Sequence, residues 1–307
     1  MRVADDLTVI VVGYRHERFV EATLASIEAQ SWRPARVILC DDASDDRSAE
    51  LMRAWAERTD LAVTLRLAEV NRGLTATLNG ALAEVRTPFY TYISADDLMR
   101  PQRVERQLPV LRADPELAFV YCDAARIDES GRALPEAFSD LYRRIWNPPT
   151  DTYPMLMEGS WIPAVSVMCR TSCVRAVGGY DESLFFEDFD LWLRLASRWP
   201  FTHVDDPLVV FRDVSTSLGH SRFRDEDNGW HWAKVRMRGK HFGRDRATDV
   251  AVARIIRPWL ITLLRRGESQ AQLAPYFRRV ARIDRSPASL VYAVASTLRL
   301  GRLLPPR

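Results

Sequence analysis

The chain has 307 residues, of which 47% are hydrophobic, 27% charged and 10% aromatic. That balance describes one large globular domain or two modest ones, and it excludes a disordered chain, a collagen repeat and a disulfide-stapled miniprotein. The formal net charge of +2 conceals an asymmetry, because residues 1–220 hold 24 basic and 34 acidic side chains while residues 221–307 hold 19 and 7.

Leu7 to Gly13 is a β-branched run of the length of a strand buried on both faces. From Phe19 the apolar spacing becomes helical and ends near Trp32-Arg-Pro34. Arg36–Cys40 predicts a second strand, followed by the acidic turn Asp41 to Asp46 and a helix through about Arg58. Ala62–Leu67 predicts a third strand, Leu74–Val85 a helix, and Phe89–Ile93 a fourth strand running into Ser94-Ala-Asp-Asp97. This alternation predicts an α/β fold with a mostly parallel sheet covered by helices on both faces. In such sheets ligands sit outside the carboxyl ends of strands, so Gly13-Tyr14, Asp41-Asp42 and Asp96-Asp97 are expected to share one rim.

After Pro101 the regularity changes. A helix to about Ala113, a strand over Leu117–Cys122, a polar stretch from Asp128 to Tyr153 and a strand over Ala164–Cys169 suggest antiparallel structure and long loops. Glu187–Arg198 reads as a helix and Thr202–Phe211 as a strand broken at Pro207. Beyond His220 the pattern is helical, with breaks near Gly243, Gly267 and Ser286. Cys40, Cys122, Cys169 and Cys173 lack the spacing of a zinc site and read as buried thiols in a reducing compartment.

Three acidic sites carry candidate chemistry. Asp96 and Asp97 either hold a divalent ion that bridges to phosphate oxygens or cap the helix entered near Pro101. Asp41 and Asp42 either accept from a base or ribose or close a turn. Asp188 shares a helix face with Trp192 and Leu195, and Asp190 points the other way, so Asp188 is either a cap or a base with a raised pKa. No Gly-x-Gly-x-x-Gly follows the first strand and no Gly-Lys-Ser/Thr phosphate loop occurs.

Taken together, Val9-Ile-Val-Val-Gly-Tyr14, Ile38-Leu-Cys-Asp-Asp-Ala-Ser-Asp45, Asn71 to Asn79, Ser94-Ala-Asp-Asp97 with Pro101, Gly178-Gly-Tyr-Asp-Glu182 and Glu187-Asp-Phe-Asp-Leu-Trp192 resemble glycosyltransferase family 2. These are inverting nucleotide-sugar transferases of the GT-A fold, and the likeness covers about residues 7–215. It implies a nucleoside diphosphate sugar donor, a carbohydrate or lipid-linked acceptor, and Mn²⁺ or Mg²⁺. By the same resemblance Asp41 and Asp42 would bind base and ribose, Val12, Gly13 and Tyr14 would frame the base, and Asn71, Gly73 and Asn79 would lie along the nucleotide. Asp97 would bind the metal, Asp96 would contact ribose or donor sugar and help hold the ion, and Asp188 would deprotonate the acceptor. Ser94 stands where many members carry the first Asp of an Asp-x-Asp. Val214 stands where a His near the diphosphate is common, leaving His220 as either a substitute that could help hold the metal or a surface residue, and Arg212 as a second phosphate-binding candidate. Trp161 and Glu187 are acceptor-side candidates, Trp161 being either a sugar-stacking platform or a core residue.

The expected organisation is a GT-A catalytic domain over residues 1–218 and a basic helical region over 219–307. Met1 to Asp6 has no leader character, and the longest uncharged apolar stretch of the tail, Ala288–Leu298, falls short of the roughly 20 residues that span a bilayer. A cytoplasmic protein is expected, peripheral at the inner face of the cell membrane if the basic tail meets lipid. Val250, Val252, Ile255, Trp259, Leu260 and Leu263 fit an amphipathic helix that either lies on such a surface or packs inward. The tail could equally meet an acidic partner or a second copy in a homo-oligomer. No nucleic-acid-binding module accompanies the charge, so nucleic acid is not an expected partner.

Overall fold

The computed structural model describes residues 2–141, 153–215, 217, 222 and 224–298. Its chain divides into two compact units, Met1–Tyr153 with Ser160–Ser215, and Pro154–Gly159 with Thr216–Arg307.

The first unit is built on β1 (Arg2–Gly13), α1 (Val20–Glu28), β2 (Trp32–Asp41), α2 (Ser48–Arg58), β3 (Val63–Leu67), α3 (Leu74–Glu84) and β4 (Phe89–Ser94). Strands β3, β2, β1 and β4 are mutually parallel in that order, as the alternating pattern requires. Side chains alternate across the pleat. Val9, Val11, Val37 and Leu39 cluster with Leu24 and Ile27 of α1 and with Met52 and Trp55 of α2. Ile10 and Ile38 are buried as well, and α3 packs against β1 and β2. The four cysteines are free and buried.

Beyond β4 come β5 (Leu98–Met99), α4 (Arg103–Ala113), β6 (Phe119–Ile127), α5 (Phe138–Leu141), α6 (Tyr153–Glu158), β7 (Met168–Arg170), α7 (Thr171–Ala176), α8 (Asp188–Ala196) and β8 (Phe201–Arg212). Here the sheet turns mixed, its order continuing β4-β7-β6-β8-β5. Strand β7 is antiparallel to both β4 and β6, whereas β8 is parallel to β6. One expectation needs correction. Ala164–Ser166 is a 3₁₀ turn and only Met168–Arg170 is strand. The break at Pro207 is a register shift inside a continuous β8: Asp123 meets Pro207, and pairing resumes at Ala124 and Val209, because a bulge absorbs a residue that has no N–H to give.

The second unit contains nearly all of α6 together with α9 (Asn228–Gly239), α10 (Arg246–Arg265), α11 (Gln270–Asp284) and α12 (Pro287–Thr297), the last four each packed on the next. Side chains of Asp227, Asp245 and Ser286 accept from backbone N–H groups at three of the helix starts. Val252, Ile256, Leu260 and Leu263 of α10 are fully buried. Of the stripe read from the sequence on this helix, Val252, Leu260 and Leu263 are interior, Ile255 and Trp259 are half-buried and Val250 is 48% exposed, so packing takes only part of it.

Candidate active site

Register places the carboxyl ends of the parallel strands together. Gly13 pairs with Asp41 and Val12 with Ser94, and the amides of Asp42 and Ala95 donate to the carbonyls of Gly13 and Val12 at 3.0 and 2.8 Å. Gly13 is needed for this convergence, since a Cβ there would lie 2.9 Å from Met52 Cε and 3.1 Å from Ala95 Cβ. Val12 is buried and Tyr14, one residue past Gly13, is 40% exposed at the rim.

The acidic pair after β2 is spent largely on loop geometry. Asp41 accepts from the Ser44 N–H at 2.8 Å and the Ser44 hydroxyl at 2.6 Å. Asp42 accepts from the N–H groups of Arg72 and Gly73 at 2.9 and 2.8 Å, and Asn71 Nδ2 donates to the Asp42 carbonyl. Asp42 and Asn71 thus fold the segment ahead of α3 onto the end of β2. Gly73, at φ +87°, turns the chain into the helix.

Asn79 Nδ2 donates to the Tyr180 carbonyl and to Glu182, and its Oδ1 accepts from the Tyr180 N–H at 2.9 Å. The amide is engaged in clamping the 178–182 turn to α3. Gly179 (φ +73°) lets that turn approach, since a Cβ would meet Asn79 Oδ1 at 2.7 Å. Asn79→Ala is expected to lower unfolding free energy by about 1–3 kcal/mol, read from a urea melt, with nucleotide affinity little changed.

After β4, Asp97 is buried and its Oδ1 accepts from the Arg212 N–H at 2.7 Å. Burial, reinforced by the neighbouring Asp96 carboxylate, pushes Asp97 well above the ordinary carboxylate range. Asp96 Oδ2 lies 3.7 Å from His16 Nε2. Asp96 Oδ1 and His16 Nδ1 are buried without a hydrogen-bond partner among the described residues. Arg212 donates through Nε to the Asp96 carbonyl at 2.8 Å and through Nη1 to the Asp128 carbonyl at 3.3 Å. It braces these loops from a buried position. His220 lies outside the described residues.

A divalent cation of the kind the family resemblance implies has a fitting donor in the orphaned Asp96 Oδ1, with Asp97 next to it. Among the described residues no three or more His, Cys, Asp or Glu side chains gather into a cage. The donor set therefore suits an ion that takes one or two carboxylate oxygens and completes its shell with diphosphate and water.

On the other side of the site, Tyr92 of β4 donates its hydroxyl to Glu187 Oε1, and the Leu184 carbonyl accepts from Thr75 of α3. These contacts hold the 180–187 segment against β4 and α3. Glu187 is buried, and Asp188 opens α8 in a half-buried position. Burial raises both carboxyls, that of Asp188 to about 6, and Asp188 pushes Glu187 further up. Glu187 is thus enclosed rather than presented to an acceptor. Asp190, on the opposite side of the helix from Asp188, is buried and paired with Arg194 at 2.7 Å, whose Nη1 and Nη2 also donate to the carbonyls of Val177 and Gly179. Helix α8 is enclosed on more than its apolar stripe, so an ion pair fills what the helical wheel makes a polar face. Trp161 is fully buried and donates to the Tyr121 hydroxyl at 2.9 Å. That removes it as an exposed stacking platform.

His16 and Tyr92 were not singled out from the sequence. The signal for His16 was its place in the loop after the first strand, on the same rim as Asp96. Tyr92 had none, because its partner lies 95 positions away.

The fold is a mixed-sheet α/β architecture with its acidic loops gathered at the carboxyl ends of the parallel strands. The Glycosyl transferase family 2 model matches residues 8–176, more than half of the chain, and the chain belongs to that family. Among curated proteins, the amylovoran biosynthesis glycosyltransferase AmsE of Erwinia amylovora is 25% identical over 237 residues, 74% of this chain and 81% of AmsE. Among solved structures, S. aureus TarS 1–349 in complex with UDP-GlcNAc has a TM-score of 0.68 at 14% identity, covering 98% of this chain and 89% of that one. A mannosyltransferase from Pyrobaculum calidifontis, PcManGT, in complex with GDP-Man and Mn²⁺ has a TM-score of 0.58 at 18% identity, covering 97% and 86%. The shared architecture is the GT-A fold, with a helical C-terminal region.

Proposed function

We propose that this glycosyltransferase moves a sugar from a UDP- or dTDP-sugar to a hydroxyl of a carbohydrate or lipid-linked acceptor, with inversion, and that Asp188 is the general base. The observation that carries the reading is the half-buried Asp188 at the head of α8, its pKa raised to about 6 by burial. Such a carboxylate is ionised at neutral pH, yet is a better proton acceptor than an exposed aspartate.

In the proposed reaction the acceptor hydroxyl gives its proton to Asp188 as its oxygen bonds to the anomeric carbon. The bond from that carbon to the diphosphate oxygen breaks, and its electron pair leaves with the nucleoside diphosphate. Entry opposite the departing group inverts the centre. A Mn²⁺ or Mg²⁺ ion held by Asp96 and Asp97 would neutralise charge on the diphosphate, so no second carboxylic acid is required to protonate the leaving group. Val12, Gly13, Tyr14 and the Asp42–Asn71–Gly73 loop would form the nucleotide cradle, and Asp41 would shape its edge. UDP-GlcNAc on TarS, GDP-Man with Mn²⁺ on PcManGT and the biosynthetic name of AmsE support a nucleotide-sugar donor and a polysaccharide setting.

Thermal-shift measurements with UDP, dTDP, GDP and CDP, each with and without Mn²⁺, test the donor site. UDP or dTDP at about 100 times its Kd is expected to stabilise by roughly 2.7 kcal/mol, more strongly with Mn²⁺, and Asp96→Asn should remove the Mn²⁺-dependent part. Stabilisation by no nucleotide rejects the donor site. Stabilisation without turnover of any donor would favour a non-catalytic binding scaffold, and transfer to polyprenyl phosphate alone would favour a lipid-phosphate sugar synthase.

A further inference from the structure

Helix α12 presents its side chains in an unusual order. Ser286 caps it and Pro287 starts it. Its inward face is small: Ser289, Ala293 and Ser296 are buried, with the hydroxyls of Ser289 and Ser296 satisfied locally by Asp284 and the Ala293 carbonyl. Its large aliphatic residues point outward, Leu290 being 60% exposed, Val291 53%, Val294 49% and Leu298, just past its end, 60%. At about 100° per residue these four fall within a single arc roughly 100° wide, on the side away from Ser289 and Ser296. The neighbouring helices follow the ordinary rule, with Ile256 and Leu260 of α10 and Leu273, Phe277 and Val280 of α11 buried.

Apart from Asp284, the exposed charge of the helix packed against α12 has one sign. Arg278, Arg282 and Arg285, on α11 and at its C-cap, are exposed, and none is ion-paired among the described residues. Arg278 donates to Thr297 Oγ1 at 3.4 Å, which sets a guanidinium at the margin of the stripe. The sole carboxylate between positions 276 and 298 is Asp284, and it is engaged by Arg257 at 3.1 Å.

We propose that this face of α12 docks on an anionic phospholipid surface. Leu290, Val291, Val294 and Leu298 enter the boundary between headgroups and acyl chains, and Arg278, Arg282 and Arg285 meet lipid phosphates. An aliphatic arc rimmed by unpaired arginines has the two attractions that interfacial helices combine. The 11 residues of α12 reach only about half of a bilayer's hydrocarbon thickness, so the helix lies on the surface rather than crossing it. A second copy meeting this face about a twofold axis would set the same arginines against each other, which favours lipid over self-association. The surface is independent of the assignment of Asp188, and its test needs no donor.

The test is co-sedimentation of the full chain with phosphatidylcholine vesicles lacking or containing phosphatidylglycerol. Binding is expected only with phosphatidylglycerol and should weaken as salt rises. The double variant Leu290→Glu, Val294→Glu should lose roughly tenfold or more in partitioning. Arg278→Gln and Arg282→Gln should lose ~5-fold each on the anionic vesicles. All four positions are exposed, so melting temperature should hold, and if the glutamate variant fails to fold, the arginine variants and the salt dependence still decide. Equal partitioning to both vesicle types, or full binding by the folded glutamate variant, overturns the proposal. So does lipid-free self-association that this variant abolishes, which would make a second copy the occupant. Capture of an acidic protein without lipid binding overturns it as well.

Discussion

Asparagine in place of Asp188 is expected to slow transfer by roughly 10²–10⁴-fold while sparing nucleotide affinity. The substitution keeps the size of the side chain and its ability to cap a helix start, so α8 should retain its geometry and lose only the proton acceptor. Wild-type kcat/KM should rise with pH through about 6, where the buried carboxyl ionises, and the small residual rate of the variant should lack that limb. The stability sign is opposite. The folded carboxyl titrates near 6 and an unfolded aspartate near 3.9, so between those values the folded state binds more protons and stability falls as pH rises. Asp188→Asn removes this slope and should melt above wild type at neutral pH. A residue serving only as a cap would show neither the large rate loss nor the gain in stability. Measuring initial rates and melting temperatures from about pH 4 to about pH 7, which spans the window between the unfolded and folded pKa values, separates the two roles, and near-wild-type turnover by the variant would reject the base.

The rim was legible because it depends on local order. A β-branched run followed by Gly13, a second ending at Asp41 and a third at Ser94 must leave their loops on one side once the strands are parallel, and the register does so. Gly243, Gly267 and Ser286 marked the breaks of the tail for the same reason, since caps and turns are set by a few neighbouring residues. Roles that depend on distant partners were not legible. Asn79 lies in a segment that reads as nucleotide-binding, but the backbone it holds is about a hundred residues further on. A helical wheel sets Asp190 opposite Asp188 but says nothing of Arg194, which pairs with it and reaches the carbonyl of Val177. For α10 the pattern left a surface and an interior reading open; packing takes Val252, Leu260 and Leu263 inside, and it is the less charged α12 that turns its aliphatic side outward. Hydrophobic periodicity tells how wide an apolar arc is, but not which neighbour covers it.

Trp161→Ala should be the most destabilising single change in the catalytic unit, costing about 3–5 kcal/mol. The indole is fully buried and its Nε1–H is donated to Tyr121 of β6, whose ring lies 6.2 Å from Phe201 and 5.6 Å from His203 of the adjacent strand β8. Truncation would open a cavity in a close-packed region where a sheet strand sets one wall, so little collapse can refill it. A urea melt should show the midpoint falling with the m-value unchanged, as expected when the native and unfolded surfaces are otherwise the same. Trp161→Phe keeps most of the volume, gives up the hydrogen bond, and should cost about 1–2 kcal/mol. The acceptor KM separates packing from sugar recognition. If Trp161 holds the β6 side of the sheet, the Phe variant keeps its KM while losing stability. A stacking platform would give the reverse, because a phenyl ring with a different face changes sugar affinity at little cost to the fold. A large rise in acceptor KM with an unchanged urea midpoint would return Trp161 to the acceptor site.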